Sequence, residues 1–190
     1  MTEKTITRKF ISLKLLVWVG LTLFFALAYF MHPNSFTPYK ISIAIQKYGN
    51  WSFFVFWAVS MLRGLTCIPS TPFVIAGTLL FPNASLSVFI ISLSGIAFSS
   101  TLIYYLSDYL GFAGVFQTKY PHKIQLIRQK LQSPAGLLFV FIWSMFPFVP
   151  TDLICYAAGT AKISFPKIML SLLAGEAVIV AIYVYSIKLI

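Results

Sequence analysis

Arg63, Asp152 and Glu176 carry charge where the surrounding sequence is least able to tolerate it, so any chemistry begins with them. Arg63 stands six residues before Pro69 in a long apolar stretch, where a guanidinium is costly unless it is paired or faces a polar cavity. The cavity is the favoured reading; the alternative is an arginine that snorkels or pairs only to fix the fold. Asp152, directly after Pro150 and Thr151, is the natural counter-charge, and it is also placed to cap a helix. Ser70 and Thr71 before Pro72, and Thr151 and Asp152 before Leu153, look like residues that open helices. Two helix N-termini would then point inward, and their free N–H groups and dipoles favour an anion. A phosphate or carboxylate held between them and Arg63 is the expected ligand, against the plainer alternative of two turns satisfied by water. Glu176, beside Gly175 in the middle of the last apolar run, and Asp152 are the groups expected to carry a proton in a low-dielectric site. Asp108 is expected nearer the membrane surface, paired with neighbouring cations.

Enzyme schemes lack their parts. His32 and His122 fall in loops, Gly-x-Ser-x-Gly is absent, and no His/Asp/Glu cluster has metal-ligand spacing. A non-enzymatic protein without metal or cofactor is expected. The net charge of +10 comes with no nucleic-acid motif and is explained by membrane topology and anionic lipid. Cys67 and Cys155 lie in apolar segments, so buried packing is expected rather than a disulfide or a thiolate metal site.

The elements that position these residues follow from hydropathy. Hydrophobic residues make up 59% of the 190 and charged residues 9%, a balance that a water-soluble domain does not keep. Residues 1–14 form a basic tail, and Leu15 to Met31 is one full crossing. It reads as a retained anchor rather than a cleaved signal, because no small-x-small site precedes His32 and Pro33. Residues 32–50 include a short interfacial helix with Ile41, Ile45 and Tyr48 on one face. Residues 51–81 are too few for two spans and too many for one, and Pro69 and Pro72 break them in the middle. Two half-helices of about 12 and 10 residues rise roughly 15 to 18 Å each, half of a ~30 Å hydrocarbon core. That describes a re-entrant hairpin. Residues 86–110 form a crossing with a small-residue stripe at Ser92, Gly95 and Ser99. Residues 111–133 form a basic amphipathic loop suited to an anionic leaflet.

The second half repeats the first. Residues 134–161 form a second short apolar segment broken by Pro147 and Pro150, and a crossing over 168–188 follows. Pro69 to Thr78 aligns with Pro150 to Thr160 with one residue inserted, which pairs Gly77 with Gly159. If both broken segments are re-entrant, the tail, the 111–133 loop and the 162–167 turn share one face and hold ten of the fourteen Lys and Arg. If each is a kinked span, the cations divide evenly and carry no orientation signal. The positive-inside rule therefore predicts two opposed hairpins and a cytoplasmic amino terminus. The expected fold is an all-α integral membrane protein: an inverted repeat of re-entrant hairpin plus transmembrane helix, 51–110 and 134–190, with an extra N-terminal helix. Discontinuous helices meeting at the midplane of such a repeat are a transporter arrangement.

The stretches Arg63-Gly-Leu-Thr-Cys-Ile-Pro-Ser-Thr-Pro-Phe-Val-Ile-Ala-Gly77 and Phe146-Pro-Phe-Val-Pro-Thr-Asp-Leu-Ile-Cys-Tyr-Ala-Ala-Gly159 resemble the paired hairpin motifs of the DedA superfamily, in its SNARE-associated or VTT-domain branch. The resemblance covers roughly 45–185 and implies opposed re-entrant hairpins, a bacterial inner-membrane location and lipid transport between leaflets. Phospholipid and polyprenyl phosphate are the implied lipids, with a proton gradient as the implied drive. It carries over Arg63, Pro69, Gly77, Pro147, Pro150, Asp152, Tyr156 and Gly159, and adds Tyr156 to the expected binding residues. Ser144 and Ser107-Asp108 depart from it, standing where the family often has arginine and Gly-Arg. Membrane lipids, through an anionic head group, are the expected partners. The other readings are an ion-coupled carrier of a small soluble anion and a scaffold that transports nothing.

Overall fold

The computed structural model describes residues 3–147 and 149–186, and every regular element among them is helical. The long apolar runs become α1 (Glu3–Met31), α5 (Ser85–Tyr109) and α10 (Phe165–Ser186), and each contains a stretch long and apolar enough to cross a membrane. Between them lie α2 (Pro38–Gln46), α3 (Ser52–Gly64), α4 (Thr71–Leu80), α6 (Phe112–Lys119), α7 (Pro121–Gln132), α8 (Pro134–Ser144) and α9 (Asp152–Thr160).

Both proline breaks appear, and their local causes are visible. α3 ends at Gly64, where the Thr66 hydroxyl donates to the Arg63 carbonyl at 2.6 Å and Cys67 turns the chain at φ 55°. α4 then starts with Pro72 in its first turn, where a missing N–H costs nothing. In the second half α8 stops at Ser144 and α9 resumes at Asp152. The basic loop contains two helices: Gly111 at φ 84° leads into α6, and Pro121 opens α7.

Two helices extend ahead of the crossings expected for them. α1 contains the expected crossing and runs ahead of it to Glu3, since no proline or glycine interrupts the charged segment. α10 begins at Phe165 rather than 168, since Pro166 falls in the first turn, where proline is tolerated.

α5 and α10 form the centre. α5 packs on α3, α9 and α10, while α10 packs on α8, α5 and α4, and α2 covers α4. Glycine permits the closest crossings: a Cβ on Gly95 would press on Ser60 of α3, and one on Gly175 would press on Ser144 and the Phe141 carbonyl of α8. Phe56, Val88, Ile103, Val140, Leu172 and Val184 are fully buried between these helices. The outward faces stay apolar, with Leu86, Ile90, Phe98, Leu170 and Ile182 exposed, as a lipid solvent requires. The ends of each broken segment have common neighbours. Phe53 near the start of α3 stacks on Phe81 just past α4, with ring centroids 3.8 Å apart. After α9, Lys162 pairs with Asp108 at the end of α5 (3.7 Å), and Gln117 of α6 donates to the Thr160 carbonyl at 3.1 Å. α7 packs on both α8 and α9.

Candidate functional site

The two breaks meet at the centre of the molecule and are tied by short polar side chains. Thr71, first residue of α4, donates its hydroxyl to the Pro147 carbonyl in the other break at 2.7 Å. Glu176 of α10 makes the second tie. Its Oε2 accepts from Ser70 at 3.3 Å and its Oε1 from Thr151 at 2.8 Å, so one carboxylate joins the residues that open α4 and α9. Glu176 is 2% exposed, and such charge-assisted hydrogen bonds are what make a buried carboxylate tolerable.

Arg63 and Asp152 complete the cluster. Arg63, in the last turn of α3 and 7% exposed, donates Nη1 to the Ile68 carbonyl at 3.0 Å and so braces its own break. Asp152, the first residue of α9 and 2% exposed, lies in the field of both Arg63 and Glu176. One of its oxygens, Oδ2, has no hydrogen-bond partner. Gly64 makes room for the other: a Cβ there would stand 3.3 Å from Asp152 Oδ1 and would collide with Ser99. The sequence reasoning did not single out Gly64, although a glycine directly after a buried arginine at a helix end is a signal for close approach.

The hydroxyls do not act as expected. Ser70 and Thr151 occupy the positions that open α4 and α9, but neither side chain caps its helix, because both hydroxyls turn to Glu176. At the two helix starts Pro72 has no N–H, and the Phe73 and Leu153 N–H groups donate to the Ser70 and Pro150 carbonyls at 3.0 and 3.3 Å.

Not every expected residue joins the cluster. Tyr156 faces α1, where its hydroxyl accepts from Trp18 Nε1 at 2.7 Å and its ring lies against Phe112. With Trp18, Thr22, Cys67 and Leu153 it lines an apolar crevice of about 210 Å³ beside the breaks. Trp18 was not foreseen, since nothing in a single apolar helix marks which aromatic meets a distant tyrosine. Gly77 lies over the Phe56 ring, and Gly159 lies against Ser107 and the Tyr104 carbonyl of α5. Ser144 is buried on Gly175, its hydroxyl donating to the Val140 carbonyl at 2.8 Å. An arginine side chain there would have to displace that helix crossing. Asp108 is largely exposed and holds Lys162. Both cysteines are free, Cys155 buried and Cys67 partly so. Among the described residues no group of His, Cys, Asp and Glu gathers to hold a metal.

A family model described as the VTT domain matches residues 68–189, which takes in α4 through α10 and leaves α1, α2, α3 and Arg63 outside. No curated protein and no solved structure matches the chain.

Proposed function

Because the chain belongs to the VTT-domain family, the domain of DedA and SNARE-associated membrane proteins, we propose that it moves a phosphate-bearing lipid between the two leaflets. One observation carries the reading. Two half-helices bring the hydroxyls at their starts to a single buried carboxylate, with an arginine alongside. Hydroxyls that hold a carboxylate, with a guanidinium nearby, are suited to a phosphate head group. Glu176 then marks where the head group's charged oxygens sit, and with Asp152 it exchanges the protons that accompany transport. Arg63, Ser70, Thr71 and Thr151 are the head-group contacts in this scheme. Tyr156, hydrogen-bonded to α1, borders the crevice through which the lipid tails pass.

The apolar crevice between α1 and the breaks favours a lipid over a soluble anion, whose path needs polar walls throughout. Two opposed re-entrant hairpins fit the contacts of the segment ends. Phe53 on Phe81 brings the ends of the first broken segment to one level, and Lys162 on Asp108 returns the second to the level from which α8 starts. The equivalent crossings of Gly95 on α3 and Gly175 on α8 fit an inverted repeat. The positive-inside count supports a cytoplasmic amino terminus and α6–α7 loop, and the family resemblance supports a bacterial inner membrane.

Reconstitution tests the proposal directly. Purified protein in liposomes should move polyprenyl phosphate or fluorescent phospholipid faster than protein-free liposomes, and Arg63→Ala should lose most of that activity while extracting as a folded monodisperse species. Transport equal to that of empty liposomes, with and without a pH gradient, would sink the reading. Uptake of a soluble anion into sealed vesicles without lipid movement would replace it with a carrier.

A further inference from the structure

We infer that the groove between α7, α8 and α9 binds one anionic phospholipid, taken from the leaflet that the α6–α7 loop faces. The groove has a volume of about 690 Å³ and is walled by Ile127 and Leu131 of α7, Ala135 and Phe139 of α8, and Leu153 and Ile154 of α9. It is separate from the central cluster, since Arg63, Asp152 and Glu176 do not line it. Phe139 and Leu153 are each half exposed, so the groove opens sideways to the molecule's surface. α7 packs on α8 and α9 yet buries none of its own residues, and so covers the groove without filling it.

The corner between α7 and α8 sets a cation at the edge of this groove. The Ser133 hydroxyl accepts from the Gly136 N–H at 3.1 Å and donates to the Lys130 carbonyl at 2.6 Å, and a Cβ on Gly136 would press on that same carbonyl. The Lys130 backbone is thereby fixed against the first turn of α8. Lys130 is exposed, is the one cation lining the groove, and makes no ion pair among the described residues. With Lys119, Lys123 and Arg128 it gives residues 112–132 four cations and no carboxylate. The occupant must therefore bring negative charge to the edge. Its inner part must be apolar, because the Ser133 hydroxyl is already used as donor and acceptor and the remaining walls are apolar carbon, so a buried polar group would go unpaired. A soluble anion leaves the groove empty. A peptide helix, about 10–12 Å across with its side chains, is too wide for this volume spread along the ~12 Å of α8 from Ala135 to Trp143. Hydrocarbon chains beneath an anionic head group meet both demands. Leu153 and Ile154 directly follow Asp152, so chains seated against them brace the start of α9 and hold α7 over it.

Native mass spectrometry of the whole protein in mild detergent tests this, with dioleoyl phosphatidylglycerol as the anionic probe and dioleoyl phosphatidylcholine as the zwitterionic one. The wild type should retain one phosphatidylglycerol and prefer it about fivefold, the effect of one lysine beside an anionic head group. Lys130→Gln should bring the two lipids within about twofold while chains still bind. Lys123→Gln should keep the preference, because Lys123 lies over the Tyr120 ring and not in the groove. Ala135→Phe fills the groove and should weaken both lipids alike. Equal binding of the two lipids by the wild type, which needs no variant to fold, overturns the inference. Equal loss of preference in Lys130→Gln and Lys123→Gln would reduce the attraction to diffuse surface charge and overturn the site, as would undiminished binding by Ala135→Phe. Displacement of phosphatidylglycerol by glycerol phosphate, which has the charge and no chains, would make the occupant a soluble anion; a dimer free of lipid would make it a second copy of the chain. Either result also overturns the inference. All of these outcomes leave the transport reading untouched, since every variant keeps the central cluster intact.

Discussion

A carboxylate that accepts one hydroxyl from each of two converging helices does two jobs, and they separate by mutation. Thr151 reaches Glu176 at 2.8 Å and Ser70 at 3.3 Å, so the first bond is the stronger tie. Thr151→Val removes it at constant shape and should cost about 1 kcal/mol, towards 2 if the orphaned oxygen finds no other donor. Ser70→Ala should cost less. Thermal unfolding in detergent, followed by circular dichroism, should therefore rank wild type above Ser70→Ala above Thr151→Val; the reverse order would mean that the Ser70 bond is the tie. The types and positions of these residues were legible in the sequence, because an ionisable group in an apolar run draws attention by its cost. The direction of the hydroxyls was not. Serine and threonine at a helix start have a local use as caps, and only the arrival of Glu176 from α10, more than a hundred residues beyond Ser70, supplies the competing acceptor. Tyr156 was placed by analogy among the binding groups, and its partner Trp18 lies 138 residues away in sequence. No local pattern encodes such a pair.

At the scale of elements, the helices are set by where backbones can touch. Without a water-driven hydrophobic force between membrane helices, close packing of small residues does much of the holding. Gly175 crosses α8 so closely that a methyl group would meet the Phe141 carbonyl, a backbone atom that cannot rotate aside. Gly175→Ala should therefore destabilise by about 1–3 kcal/mol, as overpacking does, despite alanine's better helix propensity. Gly114→Ala has open space around it and should be neutral or slightly stabilising. Equal midpoints for the two variants in the same unfolding measurement would show that α10 does not depend on this crossing. The proline breaks were readable because proline acts on its own helix within a turn. The early start of α1 was not, because hydropathy marks the apolar run and not how far a helix continues through the charged residues ahead of it.

For the whole molecule, the decisive quantity is how often the chain crosses the bilayer, and it can be read from either end of each broken segment. With re-entrant hairpins, Asn34 before the first segment and Asn83 after it lie on the same face, and so do Thr118 before the second and Ser164 after it. With kinked spans, each pair is divided. The Phe53–Phe81 stack and the Lys162–Asp108 pair are hard to reconcile with division, since a segment that crossed the bilayer would part its ends by about 30 Å. The ten cations that one face gathers under the re-entrant arrangement point the same way, because an even split would leave insertion without a directing signal. Single cysteines placed at these four positions, in a Cys67→Ala, Cys155→Ala background, can be labelled in intact cells with a membrane-impermeant maleimide. Asn34→Cys and Asn83→Cys should react in intact cells, whereas Thr118→Cys and Ser164→Cys should react only after the membrane is opened. If Asn83→Cys were protected while Asn34→Cys reacted, the first broken segment would be a full crossing, and the two half-helix N-termini would no longer enter from opposite faces to share Glu176.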